Sequence, residues 1–159
     1  MKPEKTIHTS RTIMFAELAK VMNHGIESDN YYDTLKQNVI SKATQSGITK
    51  TSRYLKSLYD LDASQPQFMA FKHFWSIAHE RDKPLLALIY AIGNDYQLKN
   101  SIPVINNTEI GKKVTVESIE SNIENLYPQK YSANTKRSMA QNIASSWKQA
   151  GFITGKVKN

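Results

Sequence analysis

Four polar side chains near the C-terminus recur at a spacing that places them on one side of a helix: Arg137, Gln141, Ser145 and Lys148. On a helical wheel they lie opposite an apolar face centred near Trp147. Arginine, lysine, glutamine and serine side chains hydrogen-bond base edges in the major groove and the phosphates beside it. No acidic residue follows Glu124. We therefore predict a recognition helix for nucleic acid, with protein contact or an ordinary solvated face as the alternatives.

The predicted nucleic-acid-binding set at this end of the chain extends beyond the four side chains of that face. It comprises Lys130, Asn134, Lys136, Arg137, Gln141, Ser145, Lys148 and Lys156. Lys136 falls within the apolar arc, but in the first helical turn its long stem can lead the charge out to water. A second set, Lys50, Arg53 and Lys56, recurs every three residues on another predicted helix. Two basic helices would suit a surface laid along a duplex, whereas a solvated helix edge is the alternative for the second set.

The elements that carry the C-terminal set are predicted to form a helix–turn–helix followed by the start of a wing. Thr115 is the predicted N-cap of a helix that ends before Pro128. After a short turn, NTKRSMAQNIASSWKQAGFITGK (134–156) supplies the second helix, which Gly151 ends as a C′ glycine. The strand signal at 152–153 would then begin the wing, which gives the element order of a winged helix–turn–helix module.

The remaining segments are also predicted to be helical, so the predicted fold class is all-α. The architecture would be a compact helical bundle with a helix–turn–helix, winged-helix-like unit at its C-terminal end. Helices are predicted from Ser10 to Gly25, from 29 to 46 with Gly47 as the breaker, from 49 to 60, from 65 to 82, and from Pro84 through the buried run LLALIYAI. Core packing is predicted for Phe68, Phe71, Phe74, Trp75 and Trp147, and a loop is predicted for NSIPVINNTEIGKK (100–113).

The length of 159 residues fits one domain with three parts. These are an N-terminal helical unit at about 10–62, apolar core helices at about 65–100 and the C-terminal helix–turn–helix at about 114–159. The net charge is +7, and residues 111–159 hold eight Lys or Arg against three Asp or Glu. A basic excess concentrated at one end indicates an anion-facing surface there.

The sequence offers little that could support catalysis or metal binding. It has no cysteine, which excludes disulfides and thiolate–metal sites, and its four histidines show no metal-ligand spacing. No glycine-rich phosphate loop or acid–base pair stands out, and the S-x-x-K match at 145–148 is a motif that chance often produces. We therefore predict no catalytic residue, metal, cofactor or small-molecule substrate.

The N-terminus lacks the apolar run of a signal peptide, and the longest apolar run is about half of a bilayer span, so a cytoplasmic protein without membrane contact is expected.

Three stretches resemble the BrxA family, small all-α proteins of bacteriophage-exclusion (BREX) defence systems: SRTIMFAELAKVM, TSRYLKSLYDL and YSANTKRSMAQNIASSWKQAGFITGK. Loosely, the resemblance covers nearly the whole chain. It implies an all-α fold with helix–turn–helix character, binding of double-stranded DNA, and restriction of phage alongside other BREX proteins. It implies no catalytic residue and no cofactor. The DNA-facing positions that it implies are Arg137, Gln141, Ser145 and Lys148, with Lys50, Arg53 and Lys56 as a second set.

Two other functions stay open on the sequence alone. The helices could dock onto a larger defence enzyme as an adaptor, or the chain could be a small winged-helix transcription regulator. Salt dependence distinguishes DNA binding from docking onto a protein. For DNA, a plot of log K against log salt concentration has a slope of about −0.9 for each neutralised phosphate. A mainly apolar docking surface gives a shallow slope. A regulator should prefer its operator by roughly 10³-fold or more over random DNA.

Overall fold

The computed structural model describes residues 4–26 and 28–154, apart from the side chain of Tyr32. All regular structure in these residues is helical, with no strand among them, so the predicted all-α class is confirmed. The chain divides into two compact units. We call residues 14–90 the middle unit, and the described residues of 1–13 and 91–159 the terminal unit.

The middle unit consists of consecutive helices joined by short turns. Its elements are α1 (Phe15–Gly25), α2 (Tyr31–Lys36), α3 (Gln45–Tyr59), α4 (Pro66–Ile77), a 3₁₀ turn (Glu80–Asp82) and the first part of α5 (Lys83–Asn94). Asn30 caps α2 by accepting from the N–H of Asp33, and Thr44 caps α3 by accepting from the N–H of Gly47. Pro66 lies in the first turn of α4, where its missing N–H costs no hydrogen bond.

Aromatic side chains form much of the core of the middle unit. Phe68, Phe71 and Trp75 of α4 are buried, and Tyr31 meets Phe68 edge-on with ring centroids 5.0 Å apart. Edge-on ring pairs stabilise a core beyond the area that they bury. Gly25 ends α1 against Tyr31, and a Cβ at this position would lie 2.5 Å from the tyrosine ring. The close approach of α1 to this ring therefore requires glycine.

Three predicted helix boundaries in the first 60 residues are wrong. The first helix begins at Phe15 and not at Ser10, because Ser10 lies in a turn in which its N–H donates to the carbonyl of Ile7. The second helix ends at Lys36 and not at 46, since Asn38 and Ser41 adopt positive φ angles of 53° and 57°. The third helix starts at Gln45, so Gly47 lies within it and breaks nothing.

The aromatic helix is shorter than predicted and buries only one side. α4 ends at Ile77, and residues 80–82 form a separate 3₁₀ turn. Phe74 is 52% exposed and Ile77 is 65% exposed. The predicted core packing is therefore wrong for Phe74, although it is confirmed for the other predicted rings. Ile89 of α5 is 58% exposed as well, so the apolar run at 85–92 is buried on one side only.

The terminal unit centres on the packing of two helices near the C-terminus. It contains the end of α5, α6 (Tyr96–Asn100), α7 (Ile102–Asn106), α8 (Val116–Leu126) and α9 (Ala133–Gln149). The predicted loop at 100–113 is wrong in its first half, which forms α7 with Pro103 in the first turn. Thr115 caps α8 as predicted, accepting from the N–H of Ser118 at 3.1 Å. The core between α8 and α9 is fully buried and consists of Ile119, Ile123, Met139, Ala140 and Ile143.

α9 ends in a Schellman motif and does not continue into a wing strand. Gly151 has a φ of 87°, and its N–H donates to the carbonyl of Lys148. The N–H of Phe152 donates to the carbonyl of Trp147, and the two rings pack edge-on with centroids 5.1 Å apart. The predicted C′ glycine is confirmed. The predicted strand at Phe152 and Ile153 is wrong, because Phe152 folds back onto Trp147.

The segment of residues 5–8 is bound to the start of α6. Asp95, the N-cap of α6, accepts hydrogen bonds from the Thr6 hydroxyl, the Ile7 N–H and the His8 ring Nδ1, each at 2.8 Å. Burial by itself would raise the pKa of Asp95, but the hydrogen bonds from His8 and from backbone N–H groups hold it below its ordinary value. The N–H of Tyr96 donates to the carbonyl of Lys5 at 3.1 Å. An ionised, fully hydrogen-bonded carboxylate thus anchors this segment.

Candidate nucleic-acid interface

α9 is fixed at both ends and along one side, which leaves its other side at the surface. Ser132 caps the N-terminus by accepting from the N–H of Thr135 at 3.1 Å, and the Schellman motif closes the C-terminus. The buried side consists of Met139, Ala140, Ile143, Ser146 and Trp147. Because this side packs within the terminal unit, the direction of the surface side is set by the fold.

The surface side of α9 carries polar side chains from its first turn to its last. The α9 stripe consists of Asn134, Arg137, Ser138, Gln141, Ser145 and Lys148. All of them are exposed except Ser145, which is half-buried. The first and last lie about 21 Å apart at the rise of an α-helix. The helix contains no carboxylate, so the stripe presents hydroxyl, amide and cationic groups along its whole length.

Acidic residues of α8 lie beside the N-terminal half of the stripe. Arg137 Nη1 donates to Glu117 Oε1 at 2.9 Å and to Glu120 Oε1 at 2.8 Å. These hydrogen bonds lower the pKa of Glu117 and raise the pKa of Arg137. Lys136 donates to Glu124 Oε2 at 2.6 Å, so its ammonium is directed toward α8. The charge of the first turns of α9 is therefore partly neutralised, although the sequence of α9 itself is free of acids.

Lys148 differs from these two cations. It is exposed in the last turn of α9, where a positive charge is favourable next to the C-terminal end of the helix dipole. Within residues 4–26 and 28–154 it has no carboxylate partner. Lys148 is consequently the cation of the stripe that is best placed to meet a phosphate.

The other edge of the polar face of α9 is used inside the terminal unit. Asn142 Nδ2 donates to the carbonyl of His8 at 2.8 Å, and Gln149 Nε2 donates to the Thr12 hydroxyl at 2.9 Å. Gln149 Nε2 also lies 3.3 Å from Ser145 Oγ. On a helical wheel Asn142 and Gln149 belong to the polar face of α9. In the structure their amides hydrogen-bond to residues of the N-terminal segment and are not directed toward a ligand.

No family model, curated protein or solved structure matches this chain. The resemblance to the BrxA family therefore depends on the three sequence stretches alone. The described residues contain no group of three or more histidine, aspartate or glutamate side chains that could hold a metal ion. In the same part of the chain, no helix has both the length and the apolar character needed to cross a bilayer.

Lys130 lies among three tyrosine rings around the turn between α8 and α9. Its ammonium is 5.4 Å from the ring centroid of Tyr96, 4.7 Å from that of Tyr127 and 5.4 Å from that of Tyr131. Contacts of this kind attract a cation to the ring face. The hydroxyls of Tyr96 and Tyr131 hydrogen-bond to each other, and the hydrogen bond between Lys130 and Tyr96 raises the lysine pKa. Lys130 thus holds the turn in place, and its exposed side chain keeps a fixed positive charge there.

The second predicted set lies on α3 in the middle unit. Lys50, Arg53 and Lys56 are all exposed. The Arg53 guanidinium carbon is 5.2 Å from the ring centroid of Tyr54. Arg53 and Lys56 line a groove beside α2, whereas Lys50 does not. Only two of the three side chains therefore share one concave surface. Lys156, the last residue of the C-terminal set, lies outside the described residues.

A serine–histidine–aspartate arrangement that the sequence does not reveal lies within the terminal unit. His8 Nδ1 donates to Asp95 Oδ2 at 2.8 Å, and His8 Nε2 lies 2.8 Å from Ser146 Oγ. In hydrolases such contacts activate the serine for attack on a substrate. Here His8 and Ser146 are 0% exposed and Asp95 is 1% exposed, so no substrate can reach the hydroxyl in this conformation. The arrangement instead binds the N-terminal segment to α6 and α9.

No local motif could have revealed this arrangement. His8 is separated by 87 residues from Asp95 and by 138 residues from Ser146. The Ser146 hydroxyl also donates to the carbonyl of Asn142 at 3.0 Å and accepts from the N–H of Ile13 at 2.9 Å. A serine in the middle of a helix gives no signal of such contacts, because the partners come from elements far away in the sequence.

Proposed function

We propose that this protein binds double-stranded DNA without catalysing a reaction on it, and that α9 is the element that enters the major groove. The observation that carries the proposal is the α9 stripe, a surface about 21 Å long on a rigid helix with no carboxylate of its own. The order α8, turn, α9 is that of a helix–turn–helix, whose second helix lies in the major groove.

The chemistry of the stripe matches the contacts that such a helix makes. A glutamine side chain such as Gln141 can pair with an adenine edge, and a lysine such as Lys148 can bind a phosphate oxygen. Ser138 and Ser145 are small enough to let the helix axis approach the bases. Arg137 can turn to a phosphate or a guanine only if it releases the two glutamates of α8. Specificity and affinity should therefore depend most on the second half of α9.

The proposed biological role is that of an accessory component of a BREX phage-defence system in the cytoplasm, with other BREX proteins as partners. Similarity to the BrxA family in three stretches, among them the α9 segment, supports this role. The absence of carboxylates from the stripe supports sequence-tolerant electrostatic binding, which an accessory protein can use on any duplex. A transcription regulator would differ by strong preference for one operator.

Lys148→Glu is expected to weaken binding to duplex DNA at least about tenfold at roughly 50 mM salt, since a phosphate attraction becomes a repulsion. The measurement is an electrophoretic mobility shift titration with random and genomic duplexes at two salt concentrations. Stability should change by no more than about 0.5 kcal/mol, because the side chain is exposed.

The matched control for this variant is Lys99→Glu, which makes the same charge change at an exposed position on α6. It should lower affinity by less than about twofold, since it alters the net charge but not the stripe. Equal losses for the two variants would show that only net charge matters and would remove α9 from the interface. Absence of binding by the unaltered protein at low salt would refute the proposal altogether.

Replacing Glu117 and Glu120 together by glutamine is expected to raise duplex affinity about threefold or more. The change removes two negative charges beside the stripe and releases Arg137 from both carboxylates. The same titration measures it, and the gain should shrink as salt increases, because added ions screen the exposed charges.

Glu4→Gln with Glu109→Gln is the control for the glutamate pair, since both residues are exposed and neither belongs to α8 or α9. This control should leave affinity within about twofold of the unaltered value. If the α8 variant binds DNA no better than the control, the surface formed by α8 and Arg137 does not face the duplex.

A second candidate function is docking onto a larger protein, and one observation favours it. Large apolar side chains are exposed on two consecutive helices of the middle unit: Met69, Phe74 and Ile77 on α4, and Leu85 and Ile89 on α5. Exposed apolar groups of this size often mark protein contacts. An adaptor of this kind would bind its partner with a shallow salt dependence and would tolerate Lys148→Glu.

A further inference from the structure

The ammonium of Lys130 is held in place by groups that carry no charge. It lies among the rings of the tyrosine cluster, which consists of Tyr96, Tyr127 and Tyr131, and the nearest ring centroid is 4.7 Å away. Its Nζ also donates to the Tyr96 hydroxyl at 3.4 Å. Tyrosine hydroxyls are neutral at about pH 7, and burial together with the hydrogen bond to Tyr131 raises the pKa of Tyr96 further. The tyrosine cluster therefore fixes the ammonium without neutralising its charge.

The cations in the first turns of α9 are fixed by carboxylates instead. Lys136 donates to Glu124, and Arg137 donates to two other glutamates of α8. Lys130 has no carboxylate partner in the part of the chain that the structure describes. Its side chain is exposed, so an anion can approach it from solvent. At this end of α9 the full charge of Lys130 is consequently available to a ligand.

Hydrogen bonds at the hydroxyls keep the tyrosine cluster rigid. The Tyr127 hydroxyl accepts from Asn100 Nδ2 at 3.0 Å. The Tyr131 hydroxyl accepts from Gln97 Nε2 at 3.3 Å and is also hydrogen-bonded to the hydroxyl of Tyr96. Rings with fixed positions restrict the flexible lysine side chain before any ligand arrives. Less conformational entropy is then lost when the ammonium binds an anion.

The backbone of the turn is fixed as well. Gln129 has a φ of 58°, and its N–H donates to Glu124 Oε1 at 3.0 Å. The N–H of Lys130 donates to the carbonyl of Tyr127 at 3.2 Å. Ser132, two residues later, is the N-cap of α9. The position of the Lys130 ammonium relative to the start of α9 is therefore set by the fold.

This position suits a contact with the backbone of a duplex. In a helix–turn–helix the first helix crosses the sugar–phosphate backbone and the second enters the major groove, so the turn between them lies beside phosphates. We infer that Lys130 binds a backbone phosphate at the N-terminal end of α9 and that the tyrosine cluster supplies its positioning residues. Lys148 would bind a second phosphate at the other end of this helix, which is about 25 Å long. The inference rests on the duplex binding proposed above.

A salt titration of duplex binding tests whether Lys130 contacts a phosphate. Lys130→Gln should lower affinity at least about fivefold at roughly 50 mM salt, and the slope of log K against log salt should become shallower by about 0.9. The side chain is exposed, so this variant is expected to stay folded. Lys99→Gln is the matched control, because it removes the same charge at an exposed position of α6. It should leave affinity within about twofold and the slope within about 0.3 of the unaltered values.

Variants of the tyrosine cluster test the positioning role. Tyr127→Leu removes the nearest ring but keeps the lysine, so affinity should fall about threefold or more, since the side chain must then be ordered on binding. The salt slope should stay within about 0.3 of the unaltered value, because the phosphate contact is still made. Tyr127→Phe keeps the ring face and should bind within about twofold of the unaltered protein. Circular dichroism checks that Tyr127→Leu is folded, and Tyr131→Leu repeats the test on a second ring.

Three results would overturn the inference. An unchanged salt slope in Lys130→Gln would mean that this lysine binds no phosphate. Unaltered affinity in both leucine variants would mean that the rings do not position it. A slope as shallow in Tyr127→Leu as in Lys130→Gln would mean that the ring maintains the turn and not the ammonium alone. Each of these results leaves duplex binding by the unaltered protein intact, whereas failure of the proposed function appears as no duplex binding at all and removes both.

Discussion

His8→Ala is expected to lower the free energy of unfolding by about 3 kcal/mol. The imidazole is fully buried and connects the Asp95 carboxylate on one side with the Ser146 hydroxyl on the other. Its removal leaves a buried carboxylate with fewer donors and a cavity beside it, and both effects destabilise the folded state. Urea unfolding, followed by circular dichroism at pH 7, measures the change.

Two further substitutions show whether the network carries this effect. His8→Asn can still donate toward Asp95 but no longer reaches Ser146, so its loss should be clearly smaller than that of His8→Ala. His79→Ala removes the same side chain at an exposed position and should change stability by no more than about 0.5 kcal/mol. A loss in His8→Ala as small as that in His79→Ala would mean that the N-terminal segment contributes little to the stability of the terminal unit.

Trp147→Ala is expected to be at least as damaging, with a loss of about 3–5 kcal/mol. The indole is 4% exposed, its Nε1 donates to Ser101 Oγ at 2.8 Å, and its ring packs edge-on against Phe152. Truncation would remove the largest buried side chain of α9, leave the Ser101 hydroxyl without this donor and detach the end of the helix. Thermal and urea unfolding both measure this loss.

Conservative variants divide the tryptophan effect into its parts. Trp147→Phe keeps most of the ring volume but loses the donor to Ser101, so a loss of about 1–2 kcal/mol is expected. Phe152→Ala removes only the ring contact of the Schellman motif and should cost about 1 kcal/mol. A loss of unfolding free energy in Trp147→Ala smaller than the roughly 1–2 kcal/mol expected for Trp147→Phe would show that burial of the indole does not stabilise α9.

The sequence predicts α8 and α9 well because local chemistry defines both helices. Thr115 bonds to an N–H three residues later, and Gly151 adopts the positive φ that side chains with a Cβ disfavour. Apolar residues at helical spacing indicate which side of α9 is buried, and Met139, Ile143 and Trp147 are indeed buried. These signals lie within the helices themselves or within a few residues of their ends.

The end of α2 could not be predicted in the same way. The helical spacing of apolar residues continues past Lys36 to Val39, so periodicity alone extends the helix. The structure interrupts it at Asn38 and Ser41, whose positive φ angles are not required by the residue type. The free-energy cost of the positive φ at Asn38 is offset by two hydrogen bonds, because its side chain accepts from the N–H of Lys42 and donates to the Lys42 carbonyl. Such a closed turn depends on geometry that composition does not encode.

The candidate site shows the same division between local and distant information. The polar composition and exposure of the α9 stripe follow from helix periodicity, so the sequence predicts which side chains reach the surface. The pairing of Arg137 with Glu117 and Glu120 depends on how α8 packs against α9, and it spans 20 and 17 residues of sequence. A count of charges along the chain therefore describes α9 as acid-free, although its neighbour in space is acidic.

The contact of residues 6–13 with α6 and α9 has a consequence for synthesis on the ribosome. His8 and Ser146 are 138 residues apart in the sequence. The N-terminal segment of the terminal unit is synthesised first, so the His8 ring has no partner in α9 until α9 has been synthesised as well. Closing so long a loop is slow, because the chain loses entropy before the contact compensates it. Until then Ile7 and Ile13, which end up buried, remain open to water and to chaperones. The terminal unit is thus completed after translation has passed residue 146.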